Sequence, residues 1–306
     1  MRRWPACAAG VLWLSAAVLA QGGTVAVRVY DGARGVLTDF DTMVADISSA
    51  DVVFVGEEHD SRNAHRLELS VLEGLARRQK SVVVAMEMFE RDVQEPLDHF
   101  LMGHTSEDDF LRAARPWPNY ATDYKPLVEF AIAHNWDVVG SNVPERIAAE
   151  VAKSGLEVLQ TKSPDEQKWF AHDLRCPLDD DYFKRFAKAM RDHPVGSADP
   201  GSERQALERM YFAQCLRDET MGESVALAYN IAATGTTKPL VVHFNGTFHS
   251  DFGEGAAERA RRRLPGRRVV VLSVLPVARQ DAITPDASVR ARGDYLLYTL
   301  GDLAGS

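Results

Sequence analysis

Cysteine is scarce in this chain: three residues in 306, Cys7, Cys176 and Cys215, with no Cys-x-x-Cys pair. That leaves out thiol-bound zinc modules and thioredoxin-type redox sites, and the lack of Cys-x-x-Cys-His leaves out covalently attached c-type haem. Also missing are the Gly-x-Ser-x-Gly elbow, the phosphate-cradling Gly-x-x-x-x-Gly-Lys and the dinucleotide Gly-x-Gly-x-x-Gly. Positive charge is in short supply, 35 Lys and Arg against 44 Asp and Glu for a net charge of −9. No nucleic-acid partner and no general attraction to anionic lipid are therefore expected. The local exception, RARRRLPGRR at 259–268, reads as the solvated end of a helix followed by a turn, with an anion patch as the alternative. No long hydrophobic run occurs either: Ala6–Leu19 falls short of the roughly 20 apolar residues of a transmembrane helix.

That short run, preceded by Arg2 and Arg3 and followed by Val18-Leu19-Ala20, has the form of a secretory signal peptide over 1–20, cut near Ala20. A periplasmic or secreted protein is expected, with no transmembrane helix in the mature chain. Only Cys176 and Cys215 would remain, either as one disulfide or as two separate buried thiols.

With 45% hydrophobic residues the remainder can bury a sizeable core. TVAVRVYDG alternates and ends in Asp-Gly, the pattern of an edge strand and turn. DVVFVG (51–56), SVVVAMEMF (81–89) and WDVVGSNVP (136–144) are continuous apolar runs, the pattern of strands buried on both faces. Helical patterns separate them, at Asn63–Gln79, within RDVQEPLDHFLMG, and at Lys125–His134. The alternation implies an α/β fold, a mostly parallel central sheet flanked by helices. Around 156–233 the rhythm gives way to an all-helical insertion, expected beside the sheet or over its open edge. Strands return with KPLVVHFNG, RRVVVLSVLPV and DYLLYTL, so 21–306 reads as a single domain containing the insertion.

Two strands from opposite ends of the chain finish alike: VFVGEEHD places Gly56 three residues before His59, and VHFNGTFH places Gly246 three residues before His249. Glycine would let the backbone turn sharply off the strand, and the histidine could then point back over the strand tip. Ligands of open parallel sheets bind at such carboxyl ends. If the two strands are neighbours, His59 and His249 share one crevice, with Glu57, Glu58 and Glu87 beside them. Histidine with carboxylate serves a divalent metal or general acid-base chemistry equally well. His243 lies inside a strand and reads as core, as do Met86 and Met88; His99, His104, His134, His172 and His193 read as structural or solvated.

VGEEHDSRNAHRLELSVLEGL, AMEMFERDVQEPLDHFL, WPNYATDYKPLVEFAIAHNWDVVGSNVP, MYFAQCLRDETMGESVA and HFNGTFHSDFGEG together resemble the ChaN-like haem-binding uptake family. That family is grouped with TIKI/TraB proteins and erythromycin-esterase-like enzymes by two Gly-x-x-His motifs. The similarity runs in order from about 40 to 300. It implies an exported, non-covalently haem-binding protein of iron uptake, a homodimer with haem held between subunits, and an outer-membrane uptake partner. The motif positions carried over are Gly56, Glu57, His59, His65, Glu87, Arg91, Gly246 and His249. His59, His65, Arg91 and His249 would then bind the haem, His59 or His249 at the iron or its axial tyrosinate, and Arg62, Arg66 or Arg91 at the propionates. Tyr120, Tyr124, Tyr182, Tyr211 and Tyr229 all stand as candidates for the tyrosine. The lineage includes lipoproteins, but no cysteine stands directly after the leader, so a lipid anchor is not expected. The hydrolase relatives imply the alternative, an esterase or protease with Glu57, His59, Glu87 and His249 as catalytic residues, or with Mn, Co or Zn on His59, Glu87 and His249.

Overall fold

The computed structural model describes residues 25–79, 81–190, 200–281 and 283–301. The leader expected over 1–20, and His193, lie outside the described residues. The apolar runs form one eight-stranded sheet: β1 (Val27–Asp31), β2 (Val36–Thr38), β3 (Val52–Glu57), β4 (Val82–Glu90), β5 (Asp137–Asn142), β6 (Leu240–Gly246), β7 (Val269–Val277) and β8 (Tyr295–Leu300). Their order is β2-β1-β8-β7-β3-β6-β4-β5, and every neighbouring pair from β8 to β5 is parallel. Only β1 runs antiparallel, to β2 on one side and β8 on the other.

The first strand is therefore not the edge expected of it. The Asp31 carboxylate accepts the Arg34 N–H at 2.8 Å, and Gly35, at φ +71°, donates to the Asp31 carbonyl. The tight turn brings β2 back to take the edge itself.

Every residue of β3 and β6 is buried, which follows from their lack of alternation and from helices lying on both faces. Successive side chains go to opposite faces. Val53, Val55, Val84, Met86, Val242 and Phe244 enter one core, beneath α1 (Phe40–Ile47), α2 (Arg62–Ala76), α3 (Gln94–Leu101), α4 (Glu107–Ala114) and α5 (Lys125–Ala133). Val52, Phe54, Val83, Ala85 and Val241 enter the other. Met86 and Met88 are core residues, as expected.

Past α6 (Glu145–Ser154) no strand occurs among the described residues until β6, so the helical stretch is present, with α7 (Asp181–Met190) and α8 (Pro200–Ala232) as its long elements. It lies beside the sheet, one of the two placements expected, and reaches the edge strand β5, where the Ser224 hydroxyl donates to the Ser141 carbonyl. Met221, Val225, Ala226 and Tyr229 of α8 pack on Val52, Phe54, Val83 and Val241, so α8 forms the second helical layer together with α9 (Gly255–Arg263). The arginines at the end of α9 are not a solvated run. Arg259 is 4% exposed and lies over the Tyr182 ring, while Arg262 and Arg263 each reach the buried Glu219 carboxylate at 2.7 Å. They fasten α9 to α8.

Cys176 and Cys215 are joined as a disulfide across a sequence separation of 39. It ties the loop before α7 to the middle of α8. Loop-closure entropy for such a ring is worth about 3–4 kcal/mol. Cys176→Ser is expected to lower the unfolding free energy by about that much in non-reducing urea titrations; an unchanged midpoint would show that the bridge contributes nothing.

Candidate functional site

β3 and β6 pair in parallel with Glu57 opposite Gly246, so the chain leaves both strands side by side. The two motif glycines are needed for contact rather than for turning. Neither takes a positive φ. A Cβ on Gly56 would fall 2.7 Å from Ser250 Oγ and 3.1 Å from Thr247 Cα, because the turn after β6 crosses over it. A Cβ on Gly246 would fall 2.7 Å from His59 Nε2, because that imidazole lies on the glycine backbone. Each motif thus uses its glycine to admit the other motif.

His59 and His249 line one cavity of about 950 Å³. Its apolar lining is Trp117, Pro118, Phe186, Met190 and Phe248; Glu58, Asp60 and Asp123 add an acidic part, and among the described residues no Lys or Arg lines it. The His59 Nδ1–H donates to Glu57 Oε1 at 2.5 Å, and Trp117 meets the ring edge-on at 4.8 Å. Asn119 Nδ2 holds the His59 carbonyl at 3.1 Å. Burial works against a charged His59, but the Glu57 hydrogen bond and charge overcome it and raise the pKa above the ordinary imidazole value. Glu57 Oε1 also accepts the Tyr124 hydroxyl at 3.1 Å.

His249 is gripped from both sides. Nδ1 is 2.7 Å from Asp218 Oδ1 on α8, and Nε2 is 3.2 Å from Glu87 Oε1 on β4. Asp218 in turn accepts the Tyr182 hydroxyl at 2.5 Å, and Glu87 Oε2 accepts the Gly246 N–H at 2.8 Å. Burial disfavours charge on His249, yet the two carboxylates outweigh it and hold the pKa up at about 10. Burial would raise Glu87, but the charge and hydrogen bond of His249 pull it down to about 2. His249 is a fixed imidazolium in this arrangement, and both its nitrogens are taken.

A second charged group sits behind His59. His65 and Glu68, both on α2, meet Glu57 in the interior: His65 Nδ1 is 3.2 Å from Glu68 Oε2 and 3.9 Å from Glu57 Oε2. Burial pushes the Glu68 carboxyl up to about 7, partly offset by His65. Burial lowers His65, but Glu68, Glu57 and Asp123 outweigh it and bring it to about 9.

Of the residues singled out from sequence, Glu57, His59, Glu87 and His249 are brought together around Gly246. His65 stands one layer deeper. Arg91 is absent from the cavity wall and is bound to α8 instead, through Glu223 at 3.0 Å, Ser224 Oγ and the Thr220 carbonyl. His59, Glu87 and His249 do not present three ligand atoms to one point. Among the described residues, the group whose ligand atoms all lie within 4.8 Å is Glu57, His65 and Glu68. None of Tyr120, Tyr124, Tyr182, Tyr211 and Tyr229 lines the cavity. His243 is a core histidine as expected, bonded to Ser141 and Asn245, and burial pushes its pKa down to about 4. Sequence reasoning missed Asp218, Glu68 and the Trp117 wall. Glu68 was detectable as a charge on the stripe formed by Leu67, Val71, Leu72 and Leu75; Asp218 carries no comparable signal inside a helix of mixed composition.

A family model described as "Haem-binding uptake, Tiki superfamily, ChaN" matches residues 43–260. Comparison with curated proteins gives no match. Among solved structures the chain is similar to that described as "Cofacial heme binding to ChaN of Campylobacter jejuni", with a TM-score of 0.62 and 16% identity over 90% of this chain and 97% of that one. This likeness is one of fold. Weaker similarities are to the type III effector HopBA1 (TM-score 0.47, 12% identity, 85% of this chain and 93% of that one) and to an erythromycin esterase mutant in its open conformation (0.45, 11%, 90% and 83%).

The ion pairs set a pH window. His249, raised from 6.5 to about 10, contributes stability that is complete below pH 6.5 and lost as pH rises through about 10. Glu87, lowered from 4.5 to about 2, contributes stability that is complete above pH 4.5 and lost as pH falls through about 2. The urea midpoint should therefore be higher at about pH 5.5 than at about pH 9.5, and His249→Gln should narrow that gap. A gap of equal size in the variant would contradict the assignment.

Proposed function

The chain belongs to the ChaN family of haem-binding uptake proteins in the Tiki superfamily, and on that premise we propose that it binds haem non-covalently in the cavity at the ends of β3 and β6. The observation that carries this reading is the state of His59: its Nδ1 is held by Glu57 at 2.5 Å, so the side chain enters the cavity wall with only Nε2 left for a ligand. A carboxylate on the far nitrogen fixes the tautomer and makes the imidazole a better donor to iron. His249 stays a cation beside the site rather than a ligand.

The residues fit the group. A cavity of about 950 Å³ lies within the range that holds sizeable cofactors. Trp117, Phe186, Met190 and Phe248 offer an apolar surface to a flat macrocycle. The acidic side opposes carboxylates, so the propionates are directed outward, where Arg62 and Arg66 line an adjoining recess that shares Asp123 with the cavity. We extend the proposal to export and to iron uptake through an outer-membrane partner. Support for export comes from the Cys176–Cys215 bridge, of a kind that persists in oxidising compartments, and from the leader-like first twenty residues. The cofacial haem named for the Campylobacter jejuni protein leads us to propose two copies facing each other across open cavities.

Titrating the purified protein with ferric haem is expected to give a saturable Soret shift, weakened at least about tenfold in His59→Ala. A linear, unsaturable titration would overturn the proposal.

A second reading, hydrolysis of an ester or peptide, is favoured by one observation: two histidine–carboxylate pairs face the same cavity. His59 would take a proton from water, with Glu57 steadying the imidazolium. Turnover of activated esters that disappears in His59→Ala is the outcome this reading expects; activity unchanged in that variant, or none in the wild type, removes it.

A further inference from the structure

Two carboxylates and an imidazole converge in the interior between β3 and α2. Glu57 closes β3, and His65 and Glu68 face it from adjacent turns of α2, with all three side chains at most 3% exposed. Glu57 Oε2 and Glu68 Oε1 have no hydrogen-bond partner. A buried carboxylate oxygen without a donor is costly, and native interiors supply one or an ion. Two such atoms within one cluster call for a cation.

We propose that Glu57, His65 and Glu68 bind a divalent first-row transition ion at a site separate from the haem cavity. His65 is already oriented for it. Its Nε2–H is donated to the His59 carbonyl at 3.3 Å, which leaves Nδ1 facing the two carboxylates, where an ion would take the place of the Nδ1 proton. This is the backbone anchor that metal-binding histidines use. Nδ1 stands 3.2 Å from Glu68 Oε2 and 3.9 Å from Glu57 Oε2. Ligand atoms around an ion with bonds of about 2.0–2.2 Å lie roughly 3.0–3.6 Å apart, so a small side-chain adjustment closes the set. The imidazole nitrogen selects Mn²⁺, Fe²⁺, Co²⁺ or Zn²⁺ over the oxygen-seeking Mg²⁺ and Ca²⁺. A dication in place of the Nδ1 proton would balance both buried carboxylates and satisfy Glu57 Oε2 and Glu68 Oε1, the two oxygens for which the cluster holds no donor.

The recess that reaches His65 is lined by Asp123 together with Arg62 and Arg66. Asp123 Oδ2 lies 3.8 Å from His65 Nε2, and Asp123 lines both the main cavity and the recess that reaches His65. Glu57 links the two sites: its Oε1 stays with His59 and Tyr124 while Oε2 faces the ion. The proposal does not rest on haem binding and is tested without haem.

Chelator-treated full-length protein is titrated with Co²⁺ and followed by visible absorption, with Zn²⁺ as competitor and Mg²⁺ as control. One equivalent of Co²⁺ is expected, displaced by Zn²⁺ and not by Mg²⁺, with affinity reduced at least about tenfold in Glu68→Gln and unchanged in His249→Gln. Absent saturable uptake, wild-type affinity in Glu68→Gln, or loss of uptake in His249→Gln each overturns it. A readout that needs no variant guards against a misfolded Glu68→Gln: pulsed EPR of bound Mn²⁺ should show one coupled imidazole nitrogen, whereas two nitrogens or none would refute the site.

Discussion

The site depends on one close approach, the His59 imidazole resting on the Gly246 backbone. That contact needs β3 and β6 adjacent, parallel and in the register that sets Glu57 opposite Gly246. It also needs a residue without Cβ at 246, since a methyl there would meet the ring at 2.7 Å. Gly56 meets the complementary demand, lying beneath Thr247 and Ser250. Because side chains alternate across a strand, a one-residue slip of either strand would turn Glu57 or the segment carrying His249 to the wrong face. The crevice is therefore a consequence of strand register, which is held by close packing of the two strand faces into separate cores.

Charge balance is the second constraint. Six ionisable side chains, Glu57, His59, His65, Glu68, Glu87 and His249, crowd the ends of the three neighbouring strands β3, β6 and β4, with Asp218 added from α8. Nearly all are buried, so each must be paired. Glu87 and Asp218 share one imidazolium, and losing either partner of such a pair costs on the order of 3–5 kcal/mol. This explains why α8 is indispensable to the site although it lies on the opposite helical layer from α2: it delivers the carboxylate that fixes His249. The Arg259, Arg262 and Arg263 clasp on Glu219, one residue further along α8, holds that helix in place.

Much of this was legible from residues alone, for identifiable reasons. Strands buried on both faces read as unbroken apolar runs, so β3, β4, β6 and β7 were plain, and the mostly parallel sheet followed. The pairing of β3 with β6 is conditional, because a sheet ordered β2-β1-β8-β7-β3-β6-β4-β5 sets strands from opposite ends of the chain side by side, Val52 beside Val241 and Val27 beside Thr299, and periodicity carries no partner information. The motif glycines were read as turn formers, yet they answer to tertiary contacts that no local pattern records. The α9 arginines are bound rather than solvated, and Arg91 has its partners on α8: an arginine's partner is set by packing, and Glu219 and Glu223 lie far along the chain from Arg91. The disulfide stood open for the same reason.

Functionally, the fold offers a cavity whose two histidines have been made unequal. His249 is locked by two carboxylates into a cation, whereas His59, held by one, retains a ring nitrogen for a ligand. The most direct measurement is hyperfine spectroscopy on the ferric haem complex of protein labelled with ¹⁵N-histidine. The account predicts one strongly coupled nitrogen outside the porphyrin, absent in His59→Ala and retained in His249→Gln. A coupled nitrogen that persists without His59, or none in the wild type, would contradict it.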